Sequence, residues 1–206
     1  MAIISNATTI ADAGAFSVSL GSKVHIKTLT ASSSATLSFV DGTDSVVLDS
    51  TYPIYKFEFI NIHPASNGGF QMNLSTDGGS NYNVTKTSSG FQAYHREDGS
   101  ASLLGGGWNG LSQSTGYQVL AGASVKNDAD SGVSGLMSLF NPSSTTFVKH
   151  YMTKCSSFDT SSPPYIQNQF SAGYGNTTSA VNAIRFKWST GNMDSGKIKL
   201  YGIKDS

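Results

Sequence analysis

Val181-Asn182-Ala183-Ile184-Arg185-Phe186-Lys187-Trp188, then a turn-rich run from Ser189 to Gly196, then Lys197-Ile198-Lys199-Leu200-Tyr201-Gly202-Ile203, carries the cleanest rhythm in the chain. Ile184, Phe186 and Trp188 alternate with Arg185 and Lys187, so an extended backbone puts the apolar side chains on one face and the cations on the other. Gly191, Asn192, Asp194 and Gly196 tolerate positive φ or bond their own backbone, which reverses the chain at little steric cost. Ile198 and Leu200 then share a dry face against Lys197, Lys199 and Tyr201. The stretch predicts a closing β-hairpin with a basic wet face. A lone hairpin is marginal in water, so its dry face demands a partner sheet built from earlier strands.

Those strands are legible upstream. Val24 to Thr28 and Ala35 to Phe39 alternate around a Ser32 to Ser34 turn, and Asp41-Gly42 reverses the chain into Ser45 to Leu48. Ile54 to Ile62 and Phe70 to Leu74, separated by Asn67-Gly68, read as a central antiparallel pair. Tyr82 to Thr87 and Gly90 to His95 follow, then a loop over residues 99 to 116 around Gly105-Gly106-Gly107-Trp108-Asn109-Gly110. Tyr117 to Ala121, Gly135 to Phe140 and Phe147 to Thr153 are further strands, and Ser156 to Gln169, with Pro163-Pro164, reads as a second surface loop. Turn clusters every 8 to 12 residues and the lack of any sustained helical spacing predict an all-β, antiparallel, jelly-roll-like sandwich. One domain over residues 1 to 206 is expected, with residues 1 to 15 as an extended N-terminal arm.

Composition narrows function by exclusion. Charged residues are 13% of the 206, with 13 acidic and 13 basic side chains, so the formal net charge is zero. Such a surface has no long-range field to draw in a phosphate backbone or an anionic membrane, and nucleic acid is not an expected partner. Near-neutrality weakens self-repulsion and suits a protein that works in an assembly. The single cysteine, Cys155, allows no intrachain disulfide and reads as a small buried side chain. Met1 to Asn6 has neither a cationic nor a long apolar run, so no signal peptide is expected, and no segment is apolar enough for membrane insertion.

Reactive groups are few. There are two glutamates, Glu58 and Glu97, and Glu58 lies out of phase with Phe57 and Phe59, which makes it a solvated or sheet-paired carboxylate. His25, His63, His95 and His150 are scattered, with no metal-binding spacing. Asp128 and Asp130 are the best cation candidates, yet the bidentate glutamate that completes a calcium loop is missing and a surface β-turn is the simpler reading. No Gly-x-Ser-x-Gly elbow or phosphate-cradling loop occurs. The chain is expected to be neither an enzyme nor a cofactor carrier. Chemistry offers one ligand contact: Trp108, flanked by glycines, is suited to stack on a sugar ring with Tyr94 or Tyr165 beside it, and a buried anchor for the loop explains Trp108 at least as well.

Four stretches carry a resemblance. Ile54-Tyr55-Lys56-Phe57-Glu58-Phe59-Ile60-Asn61-Ile62-His63-Pro64, Ser75-Thr76-Asp77-Gly78-Gly79-Ser80-Asn81-Tyr82, Leu139-Phe140-Asn141-Pro142-Ser143-Ser144 and Ser195-Gly196-Lys197-Ile198-Lys199-Leu200-Tyr201-Gly202-Ile203 resemble virion structural proteins of tailed bacteriophages, especially phages of marine bacteria. The likeness spans about residues 52 to 204. It implies a particle component assembled in the host cytoplasm, with no catalytic residues to carry over. Fibre proteins often begin with a long anchoring or coiled region that this chain lacks. The expected role is therefore a head-decoration protein, a homotrimer binding the major capsid protein, with a receptor- or glycan-binding tip of a tail fibre as the alternative.

Overall fold

Turn chemistry divides the chain into fifteen strands among the described residues, with no helix between them. The computed structural model describes residues 22–205 and, ahead of them, β1 (Ile3–Ser5), β2 (Thr8–Asp12) and β3 (Ala15–Phe16). Of the expected arm over residues 1 to 15, residues 1–2, 6–7 and 13–14 lie outside the described residues; its described pieces, with Phe16, pair as an antiparallel three-stranded sheet of their own. An eight-stranded sheet runs in the order β4 (Lys23–Thr30), β15 (Met193–Ile203), β6 (Ile54–Pro64), β11 (Gly132–Phe140), β12 (Lys149–Asp159), β13 (Tyr165–Gly175), β8 (Lys86–Arg96) and β9 (Ser102–Gly106). A four-stranded sheet runs β10 (Gln118–Val125), β7 (Gly68–Ser75), β14 (Ala183–Trp188) and β5 (Leu37–Val40). All the pairings are antiparallel, and the smaller sheet covers one face of the larger as an uneven, jelly-roll-like sandwich.

The rhythm of the closing stretch holds, but its hairpin does not. Ile184, Phe186, Trp188, Ile198 and Leu200 are all buried, yet β14 and β15 belong to different sheets and face one another across the core. The same correction applies to β6 and β7, expected as an antiparallel pair, and the turn between β4 and β5 is likewise a corner where the chain crosses between layers. The reason is the size of the dry faces. Side by side in one sheet, Phe57 and Phe59 would lie next to Phe70 and Met72 with nothing above them; folded over, Phe59 meets Phe70 edge to face at 5.1 Å. Phe186 sits at the centre, with ring centroids 5.4 Å from Phe57 and 5.2 Å from Phe59.

The three corners are stitched together. Ala65 N–H donates to Asn192 O at 2.9 Å, Ser189 N–H to Gly69 O at 2.9 Å, and Met193 and Ser34 exchange backbone bonds of 2.7 and 2.8 Å. Facing bulges let β6 and β15 bend into this junction: Asn61 has a φ of 48° and Gly196 a φ of 115°. A Cβ on Gly196 would lie 2.5 Å from Asn61 O, so only glycine fits there.

Other boundaries also move. Most of residues 156 to 169 is strand, because β12 continues to Asp159 and β13 begins at Tyr165. Their Ser, Asn and Gln residues look like loop material, but they alternate in burial and pair without a break from Lys149↔Gly175 to Asp159↔Tyr165. Within residues 99 to 116, β9 pairs with β8, and Ser45 to Leu48 forms no strand although Val46 and Leu48 are buried.

The smaller sheet does not reach the far side of the larger one. β10 is its last strand, lying against β12 and β13. Beyond it the inward positions of β8 and β13 carry Gln92, Gln167 and Gln169 in place of apolar residues, all nearly buried.

Candidate binding cleft

Strand alternation builds this cleft. On β8 the residues Gln92, Tyr94 and Arg96 point inward, and opposite them on β13 stand Gln169, Gln167 and Tyr165. The chain leaving β9 continues along β8 without regular pairing: Trp108 N–H donates to Gly90 O at 3.1 Å and Ser88 N–H to Leu111 O at 2.9 Å. Gly90 makes that approach possible, since a Cβ there would sit 2.7 Å from Trp108 O and 2.8 Å from Phe170 O. Gln92, Tyr94, Arg96, Trp108, Tyr165 and Gln167 thus line an open cleft of about 270 Å³.

The structure brings together all three aromatic residues singled out from the sequence. Tyr94 and Tyr165 have ring centroids 5.7 Å apart, tilted by 58°. The Tyr165 hydroxyl donates to Asp159 Oδ2 at 3.0 Å; burial first, and the Asp159 charge second, push the phenol up to about 12. Trp108 is half-buried, and its Nε1–H is shielded from water with no acceptor among the described residues.

Sequence reasoning missed the polar half of the site. Gly122 N–H of β10 donates to Gln169 Oε1, and because a backbone N–H can only donate, this fixes the orientation of the whole amide chain that follows. Gln169 Nε2 then donates to Gln167 Oε1 at 3.3 Å, and Gln167 Nε2 to Gln92 Oε1. The relay ends at the Gln92 amide hydrogens, which have no acceptor among the described residues. Arg96 makes one long contact, Nη1 to Ser100 Oγ at 3.4 Å, and has no carboxylate within 4 Å among the described residues. The sequence did hold a signal: Gln92-x-Tyr94-x-Arg96 and Tyr165-x-Gln167-x-Gln169 have period two, so each set shares one strand face.

The outer face of the same strands carries an apolar stripe. Phe91 and Phe170 stack at 4.7 Å and 9° across β8 and β13, Lys154 lies over the Phe170 ring at 5.4 Å, and a groove of about 620 Å³ runs beside them past Met152. Leu104 is 74% exposed, Met152 57% and Leu136 50%.

The remaining candidates do not converge. Asp128 O accepts from Ser131 N–H at 2.9 Å, a turn of the expected kind, and the Asp128 carboxylate takes the Thr160 hydroxyl. No three His, Cys, Asp or Glu side chains among the described residues are grouped closely enough to share an ion. Cys155 is buried, which pushes its thiol up to about 12. Glu58 is sheet-paired as expected, bonded to Lys23. No helix among the described residues is long and apolar enough to cross a membrane. No protein-family model, curated protein or solved structure matches the chain.

Proposed function

We propose that the chain is a non-enzymatic structural protein on the surface of a tailed bacteriophage particle, a homotrimeric head-decoration protein that binds the major capsid protein. The observation that carries this reading is the reversed polarity of the far half of the large sheet. Leu104, Phe91, Phe170, Met152 and Leu136 form an apolar stripe across five strands on the face where a solvated sheet would be polar. A neighbouring virion protein seated on the stripe would remove it from water. The zero net charge and the resemblance over residues 52 to 204 support the same role.

The test is occupancy on the particle. Phage carrying Leu104→Glu together with Met152→Glu should lose at least tenfold of this protein from purified virions, while the isolated variant melts as the parent does. Undiminished occupancy, or density for the chain in an electron-microscopy map of the virion with the stripe facing solvent, would overturn the reading.

A second reading, a receptor- or carbohydrate-binding tip on a tail fibre or other appendage, is favoured by the Trp108 cleft. Its aromatic walls and unpaired amide suit a polar ring-shaped ligand.

A further inference from the structure

We infer that the cleft between β8 and β13 binds a single sugar ring bearing a carboxylate, such as a terminal uronic acid; this deepens the carbohydrate-binding reading and rests on it. The cleft's volume of about 270 Å³ lies just below the roughly 300–1,000 Å³ typical of sites for drug-sized molecules, so it suits one ring and not a chain. Tyr94, Trp108 and Tyr165 supply the apolar ring surfaces that a pyranose presents its C–H face to.

Polar groups set the sign of the ligand. One open donor is the Gln92 amide, because the relay consumes Gln92 Oε1 and leaves the Nε2 hydrogens, while the Tyr165 oxygen, its proton on Asp159, offers only an acceptor. Arg96 adds a planar cation with no carboxylate within 4 Å among the described residues, at the register position facing Tyr165. A guanidinium on a face shared with aromatic rings is suited to a carboxylate, which it can hold through two parallel N–H bonds, while the Gln92 amide, four residues away on the same strand face, is left for the ring hydroxyls. None of the residues lining the cleft is acidic; the nearby carboxylates, Asp159 on the Tyr165 hydroxyl and Asp98 in the field of Arg96, lie outside the lining. The relay begins on β10, so the donor that meets the ligand is held by the rigid sandwich.

The experiment titrates the full chain with glucuronate- and galacturonate-terminated disaccharides and with their carboxyl-reduced counterparts, read by calorimetry and by tryptophan fluorescence. Trp188 is buried in the core, so a ligand-dependent fluorescence change reports Trp108. Binding of an acidic disaccharide at least tenfold tighter than its reduced form is expected. Arg96→Gln should bring the two to the same affinity, and Trp108→Ala should abolish both, each variant keeping the parent's melting transition. Equal binding of acidic and reduced sugars, unmoved by Arg96→Gln, would overturn the carboxylate assignment and leave the carbohydrate reading standing. No binding of any of these sugars would overturn both.

Discussion

The two halves of the eight-stranded sheet are built inside out relative to each other. From β4 to β11 the inner face is Tyr55, Phe57, Phe59, Met137, Leu139, Ile198 and Leu200, all buried under the smaller sheet. The outer face there carries Lys56, Glu58, Lys197, Lys199 and Tyr201, with Leu136 of β11 at the end of the apolar stripe, and Lys23 is bonded to Glu58 and lies 3.9 Å from the Tyr201 ring centre. From β13 to β9 the inner face turns to glutamine, tyrosine and arginine, and the outer face to phenylalanine and leucine. A continuous hydrogen-bonded ladder therefore says nothing about which side of a sheet is the core. What covers each face decides it, and the side-chain alternation records that cover strand by strand.

The largest expected effect tests the covered half. Phe186→Ala removes the ring at the centre of the aromatic cluster, fully buried among Phe39, Phe57, Phe59 and Phe70. A loss of about 3–5 kcal/mol in unfolding free energy is expected by denaturant titration. Tyr94→Ala, in the open half, should lose about 1 kcal/mol or less. Comparable losses at the two positions would mean that the halves are not energetically distinct.

Lys86 sharpens the boundary between them. It sits where the smaller sheet ends, fully buried, and its ammonium donates to Asn73 Oδ1 and, at 2.7 Å, to Val84 O, with no carboxylate partner among the described residues. Burial pulls its pKa down to about 8 from 10.5. Between those values the unfolded chain holds a proton that the folded chain has released, so stability rises with pH across the window; below pH 8 both forms are protonated and the burial cost is felt in full. Lys149, buried against Phe147 O and Thr177 O, is shifted in the same direction for the same reason. Above pH 10 the buried tyrosines oppose the trend, because burial raises Tyr151 to about 12 and the unfolded phenols ionise first. A gain on the order of 2 kcal/mol between pH 8 and 10 is expected, and Lys86→Met should flatten it. An unchanged slope in the variant would assign the effect elsewhere.

Much of this was legible in the residues. Alternation alone gave the strand faces of β6, β7, β14 and β15, and Trp108, Tyr94 and Tyr165 do share a cleft. Pairing was not legible at the corners, because a short turn after an amphipathic strand serves a hairpin or a layer crossing equally well; only the mutual fit of Phe59, Phe70 and Phe186 separates them. The polar inner face of β12 and β13 was hidden for a different reason. Ser157, Gln167 and Gln169 read as loop residues until they are seen buried in paired strands, with the glutamine amides bonded to one another. The Arg96 side of the cleft depends on register across two strands far apart in sequence, which no local pattern specifies.

The smallest effect belongs to the outer face of the covered half. Lys23 and Glu58 form an ion pair whose side chains are 43% and 34% exposed, so water screens it, and the Lys23 bond holds the Glu58 carboxyl below its usual 4.5. A depressed carboxylate stabilises the fold above its unfolded pKa, and that contribution disappears as pH falls through the lower, folded value. Glu58→Gln should therefore cost less than about 1 kcal/mol at pH 7, shrink further in 1 M salt, and become indistinguishable from the parent under acid conditions. A loss approaching that of Phe186→Ala would place real structural weight on the solvated face, and the division between a face that packs and a face that meets water would fail in the half where it is drawn most sharply.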